Sequence, residues 1–170
     1  MRRKKQSFSY DYAITIVVIW LDFVFEPLQK KDVDACVKMI MSTLRGEAKM
    51  YGDESTVKKM IHGGHVMTLV AKRRGKVSGL INGTLLGFPR IMFLTVADEE
   101  SAREGLGALL IDQFAQEIKK RSPNVKRILH NEFADNFNAI GLYSVKGFKV
   151  TGYIRDPITN RDVVFMGKEI

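Results

Sequence analysis

A chain of 170 residues with 45% hydrophobic content can build one domain with a sizeable core and is too short for two comfortable ones. Its single cysteine, Cys36, excludes an internal disulfide, so nothing calls for an oxidising compartment and a cytoplasmic location is expected. The formal charge of +8 owes four charges to Arg2, Arg3, Lys4 and Lys5, and the remaining excess of about +4 suits an anionic small ligand as readily as a nucleic acid.

Residues 1–10 read as a basic tail and residues 11–170 as a single domain. "MRRKK" followed by "AITIVVIWL" (Ala13 to Leu21) imitates a secretory signal, but the apolar run is far shorter than the roughly 20 residues a bilayer requires. Asp11 and Asp22 flank it without a small-residue cleavage pattern. Its Ile and Val content favours an extra N-terminal strand, which could pair at a sheet edge or join two subunits into a homodimer, with no membrane partner expected.

"FVFEPL" (Phe23 to Leu28) is a short strand. Val33, Cys36, Val37, Ile40, Met41 and Leu44 recur at helical spacing, predicting an amphipathic helix over about residues 32–45. "DESTVKKMIHGG" predicts a second helix with Ser55 as N-cap and Gly63 as stop. "VMTLVAK" and "KVSGLINGTLL" flank "RRG" as a hairpin, and "RIMFLTV" (Arg90 to Val96) is a further strand. The polar run "ADEES" leads to Gly105 and Gly107, and Leu106, Leu109, Leu110, Phe114 and Ile118 then form the stripe of a helix reaching Arg121. "VKRILHNEF", a helix "NFNAIGLYSVK" closed by Gly147, and the strands "FKVTGYI" and "DVVFMGKEI" complete an alternating α/β domain around a mixed sheet.

The two glycines stand where a helix starts, and there the first N–H groups lack intrahelical partners and the peptide dipoles add partial positive charge. Two readings fit. Glycine either removes the Cβ atoms that would keep a diphosphate off those N–H groups, or lets the helix pack against its neighbours. The motif is no Rossmann fingerprint, since Leu110 stands three beyond Gly107, and no P-loop, since no Gly-Lys-Ser/Thr follows.

The later block "DNFNAIGLYSVKGFKVTGY" contains N-x-x-A-x-x-L-Y-x-x-x-G-F as Asn136, Ala139, Leu142, Tyr143, Gly147 and Phe148. With a strand, glycine turn and helix upstream, it resembles the GNAT superfamily of acetyl-CoA-dependent N-acetyltransferases over about Phe23 to Ile170. The resemblance implies a central mixed, mostly antiparallel sheet flanked by about four helices, acetyl-CoA as co-substrate, an amine acceptor and no metal. The glycine turn departs from the family's R/Q-x-x-G-x-G/A: Ala102 holds the place of the arginine or glutamine, with Arg103 beside it.

By the same resemblance, the backbone of Leu94 and Val96 would hold the pantetheine arm, with the Val96 N–H near the thioester carbonyl as an oxyanion donor. The diphosphate would rest on the turn from Ala102 through Arg103, Glu104, Gly105, Leu106, Gly107 and Ala108, with Arg103 or Lys146 near a phosphate. Asn131, Asn136, Ala139 and Tyr143 complete the implied coenzyme contacts. Tyr143 is the candidate general acid, since a phenol near pKa 10 can protonate a thiolate whose thiol has a pKa of about 8.5. Packing on an apolar helix face is its alternative role.

A base is harder to place. Family members that acetylate protein N-termini carry a glutamate five positions before the asparagine, where this chain has Asn131. Glu132 and His130 point to the opposite strand face by alternation. Asp98 and Glu99, just past the central strand, remain as candidates, each also readable as a solvated loop acid.

The histidines lack metal-ligand spacing with Cys36, a buried thiol on its helix's apolar stripe, and the charged turn Lys72–Lys76 reads as a solvated loop. Direct transfer to a peptidyl amine, α-amino or lysine, is expected ahead of a small-molecule amine. A non-catalytic acyl-CoA-binding module is the first alternative. A basic nucleic-acid binder is the second, and it leaves Asn136, Tyr143 and the glycines without a role.

Overall fold

The computed structural model describes residues 22–43, 52–85 and 87–170. The basic tail of residues 1–10 and the strand expected over Ala13 to Leu21 lie outside the described residues. In chain order the elements are β1 (Val24–Pro27), a 3-10 turn (Lys30–Asp32), α1 (Val33–Thr43), α2 (Glu54–His62), β2 (Val66–Arg73), β3 (Lys76–Thr84), β4 (Arg90–Val96), α3 (Glu99–Arg103), α4 (Leu106–Arg121), β5 (Arg127–Phe133), α5 (Phe137–Val145), β6 (Lys149–Arg155) and β7 (Asp162–Glu169).

The strands make one seven-stranded sheet in the order β1-β2-β3-β4-β5-β7-β6. Every neighbouring pair is antiparallel except β4 and β5. The β2–β3 hairpin turns through Arg74 (φ 51°) and Gly75 (φ 77°), the two left-handed residues that a tight hairpin needs to match strand twist.

Each face of the sheet is covered. Leu106, Leu110, Phe114 and Ile118 of α4 pack on Ile81, Ile91, Ile128 and Met166. On the other face, Val33, Cys36, Val37 and Ile40 of α1 and Val57 and Ile61 of α2 pack on Val70, Leu80 and Phe93. A buried ion cluster ties β1 and the 3-10 turn to β2, with Lys72 Nζ 2.5 Å from Glu26 and 2.7 Å from Asp32. Removing one member would leave charge uncompensated in a dry setting.

Two boundaries differ from expectation. Asp53, not Ser55, caps α2: its carboxylate accepts from the Thr56 N–H at 2.9 Å. The polar run before Gly105 is itself helical as α3, because Asp98 accepts from the Ser101 N–H at 2.7 Å and nucleates a turn that hydrophobic periodicity cannot reveal.

The irregularity in β4 positions everything that follows. Asn82 pairs with Phe93 and Gly83 with Ile91, so Met92 has no opposite number and forms a bulge. Met92 and Phe93 accordingly both pack toward α1. A Cβ at Gly83 would lie 2.4 Å from the Arg90 carbonyl oxygen and 2.6 Å from Phe114 Cζ. Gly83→Ala is therefore expected to cost about 1–3 kcal/mol through overpacking, read as a lower urea midpoint with unchanged m-value. Wild-type stability would show that the bulge tolerates a side chain.

Candidate functional site

The parallel strands β4 and β5 pair only at Arg90–Leu129 and Ile91–His130, then separate just where Met92 bulges. Beyond the split each strand keeps its antiparallel neighbour on one side and presents bare backbone on the other. The Ala97 N–H bonds to the Ser78 carbonyl at 2.8 Å, so alternation turns the Leu94 and Val96 N–H groups away from β3 and into the gap. A cleft of about 410 Å³ fills this gap, within the roughly 300–1,000 Å³ usual for ligand sites.

One end of the cleft meets the start of α4. Gly105 lies there at φ 81°, a left-handed conformation that side chains resist, and a Cβ on it would touch nothing. The first helical bond of this turn runs from the Leu109 N–H to the Gly105 carbonyl at 3.1 Å. The N–H groups of Leu106, Gly107 and Ala108 precede it and carry the positive end of the helix dipole. The two glycines divide the work: Gly105 makes the turn and keeps it open, whereas a Cβ at Gly107 would press to 3.2 Å of Leu142 Cδ2. Close packing of α4 on α5 is thus the reason for Gly107.

The wall opposite β4 is α5. Asn136 caps it by accepting from the Ala139 N–H at 3.3 Å. Gly147, at φ 86°, ends it, with Phe148 N–H to Tyr143 carbonyl at 3.0 Å and Gly147 N–H to Ser144 carbonyl at 2.9 Å. These two bonds form a Schellman closure, and they fasten the backbone of Tyr143 itself. The Tyr143 ring stacks on His130 at 3.8 Å between centroids and meets Phe148 edge-on at 5.1 Å. Its hydroxyl is buried without a protein partner, and burial together with the charge of Glu132 pushes its pKa well up. A phenol so placed keeps its proton at neutral pH.

The expected residues fall into two groups. Leu94, Val96, Ala102, Gly105, Gly107, Ala108, Asn131, Asn136, Ala139 and Tyr143 line the cleft. Arg103, Glu104, Leu106 and Lys146 contribute no lining side chain: Arg103 pairs with Glu99 at 2.6 Å, Glu104 with Arg73, and Lys146 with Asp112 at 2.5 Å, while Leu106 is wholly buried in the core. Asp98 and Glu99, the expected base candidates, are not among the residues lining the cleft. Asp98 is the cap of α3, and the Ser101 N–H holds its carboxyl below the ordinary range; Glu99 lies on the exposed surface.

His130 and Glu132 are the residues that strand alternation set aside. They do share the face opposite Asn131, yet both line the cleft, because a split sheet opens toward its two faces at once. Thr95 was also missed; it lines the cleft, and its buried hydroxyl has no protein partner. Among the described residues no three His, Cys, Asp or Glu side chains gather as a metal site, and no helix is long and apolar enough to cross a membrane.

The sequence model described as the Acetyltransferase (GNAT) family matches residues 34–148. No curated protein sequence matches the chain. Among solved structures, the ribosomal-protein-S18-alanine N-acetyltransferase from Escherichia coli is similar at 21% identity and TM-score 0.71, over 87% of this chain and 94% of that one. Ard1 from Thermoplasma volcanium is similar at 20% identity and TM-score 0.74, over 88% and 98% of the two chains. A spermidine N-acetyltransferase SpeG chimera from Vibrio cholerae and hSSAT is similar at 17% identity and TM-score 0.72, over 87% and 95%.

The turn geometry separates two glycines by substitution. Gly105→Ala should lose about 1–2 kcal/mol, the left-handed penalty, whereas Gly141→Ala within α5, where a Cβ meets nothing, should be neutral or gain up to about 1 kcal/mol. Thermal melts of the two variants side by side check this, and equal melting temperatures would refute the role given to Gly105.

Proposed function

The chain belongs to the GNAT family and is an acetyl-CoA-dependent N-acetyltransferase; on that premise we propose that it acetylates a peptidyl amine by direct attack in a ternary complex, with Tyr143 as the general acid.

The cleft suits acetyl-CoA as co-substrate, which supplies a thioester carbonyl and, after transfer, a thiolate leaving group. The bare β4 edge at Leu94 and Val96 can bond the amides of the pantetheine arm as a further strand would. The Val96 N–H, turned into the gap, is the donor for the carbonyl oxygen as it gains charge. The N–H groups of Leu106, Gly107 and Ala108 receive the diphosphate beside the open face of Gly105. Backbone donors carry this binding, so the absence of arginine or glutamine at Ala102 does not remove it.

The observation that carries the mechanism is the Tyr143 hydroxyl, buried in the cleft wall with no protein partner and a raised pKa. A polar group left in this state costs about 1–3 kcal/mol unless a ligand completes it. Protonating the departing sulfur is a task suited to such a phenol. Cys36 is no competing nucleophile: it is buried between α1 and the sheet, away from the cleft lining, and its thiol is pushed up to about 12 by burial and by Asp32. That supports direct transfer over an acyl-enzyme.

The acceptor side of the cleft, under α1 and beside the β6–β7 loop, is lined by Ile40, Phe93, Phe133 and Val163. Asp156 and Glu132 are the carboxylates lining the cleft among the described residues; Asp156 is engaged by the Ile158 N–H at 2.9 Å and the Thr159 hydroxyl at 2.7 Å, and one Glu132 oxygen by the Phe133 N–H at 2.9 Å. A polyamine carries charge along its length and needs several free carboxylates; an apolar lining instead favours one amine on a peptide with an uncharged first residue. The similar S18-alanine enzyme is named for such an acceptor.

Two measurements test the proposal. Tyr143→Phe should lower kcat by about 100-fold and leave the acetyl-CoA Kd nearly unchanged, and wild-type turnover would remove Tyr143 from the chemistry. In a competition between an Ala-initiated peptide and spermidine, followed by mass spectrometry, the peptide should be acetylated first; preference for spermidine would overturn the acceptor assignment.

A further inference from the structure

Turning an ammonium into an amide takes two protons from nitrogen, one of which ends on the coenzyme sulfur and the other in solvent. Tyr143 accounts for the first. The second requires a base, and with Asp98 committed to a helix cap the cleft itself must be searched.

Two titratable side chains flank Tyr143. His130 is fixed at the point where β4 and β5 part: its Nδ1 lies 3.3 Å from the Ile91 carbonyl, which can only accept, so Nδ1 is the donor of that bond. Nε2 is buried and has no hydrogen-bond partner in the protein. Its nearest carboxylate is Glu132 Oε2 at 3.6 Å. The other oxygen of Glu132 accepts from the Phe133 N–H at 2.9 Å, which orients the carboxylate from its own backbone. Glu132 keeps a side-chain exposure of 17% against 7% for His130, and both line the cleft. His130 is therefore the more enclosed of the two, and Glu132 the more open.

The geometry points to Glu132, oriented by the Phe133 N–H, as the general base of the transfer and to His130, stacked on Tyr143, as the positioning residue for the Tyr143 ring beside it. This rests on the N-acetyltransfer reading of the cleft, with Tyr143 as acid, and not on which amine is used. Glu132 takes the first proton from the acceptor ammonium and releases it through the cleft. The freed lone pair forms the C–N bond, the C–S bond breaks, and Tyr143 protonates the sulfur. Glu132 then takes the second nitrogen proton and returns it to the phenolate on the face they share. Nitrogen has lost two protons, sulfur has gained one, solvent has gained one, and both side chains are restored.

The titratable groups facing Glu132 are His130 from its own strand and Tyr143 from α5, while β7 sets the uncharged Val164 opposite it.

The test is Glu132→Gln and Glu132→Asp in the full-length protein, on whichever amine the wild type turns over fastest, with acetyl-CoA thermal shift as a check on folding and coenzyme binding. Glu132→Gln should cut kcat/KM by about 100-fold and abolish its acid limb, while the acetyl-CoA shift is retained. Glu132→Asp should restore part of the rate with a displaced acid limb. His130→Phe, which keeps an aromatic stack on Tyr143 but loses the contact to Glu132, should lower kcat less than Glu132→Gln and move the limb. Wild-type rate with an unmoved acid limb in Glu132→Gln overturns the proposal; if that variant fails to bind acetyl-CoA, an unmoved limb in Glu132→Asp overturns it instead. A wild type that accepts only spermidine would sink the peptidyl-acceptor reading, and the glutamine variant's rate on spermidine would still decide the base.

Discussion

The interruption of one hydrogen-bond ladder organises this molecule. Parallel strands β4 and β5 pair at two positions and then part, and the bulge at Met92 supplies the local twist that drives them apart. An unpaired strand edge in a protein interior would ordinarily be costly, since each buried N–H or C=O needs a partner. Here the debt is limited at one end by His130, whose ring satisfies the Ile91 carbonyl where the ladder stops. Past that point the bare edge of β4 is available to a ligand's amides. The two half-sheets are kept in register by α4, whose stripe packs on Ile81 and Ile91 of one half and Ile128 and Met166 of the other.

Much of the asparagine-to-phenylalanine block serves to hold Tyr143 against that gap. Asn136 starts the helix, Gly147 reverses it, and Phe148 contributes both the N–H that fixes the Tyr143 carbonyl and an edge against its ring. Gly107 belongs to the same system from the other side, since only a residue without Cβ lets α4 approach Leu142 so closely. The contacts that close the helix also determine where the phenol stands.

The parts of this arrangement legible in the sequence were those with a period or a local cap. β4 at Arg90–Val96 follows from its short, β-branched-rich apolar run and the helix ending at Arg121 from its apolar stripe. The short α3 was not, because five residues held by an Asp98 cap have no period to detect. Asp53 and Ser55 are both good caps at the start of α2, and only the three-dimensional bond to Thr56 separates them. The misplacement of His130 and Glu132 has a different origin. Alternation assigned their face correctly, but the inference that the opposite face lies outside the site assumes a continuous sheet. A sequence carries no direct sign that two strands far apart along the chain will pair for two residues and then separate.

The distribution of unsatisfied groups shows how fold and chemistry are connected energetically. Among the described residues, five buried side-chain atoms lack a hydrogen-bond partner in the protein, and three of them belong to Thr95, His130 and Tyr143, residues that line this one cleft. Each such group costs about 1–3 kcal/mol in the folded protein, and selection for stability alone would replace it with an apolar side chain of similar shape. A hydroxyl on each side of the gap and an imidazole nitrogen beside it instead leave the cleft under-bonded. A ligand in the cleft that bonded to these groups would recover the cost. The same feature that destabilises the fold thus favours an occupied cleft.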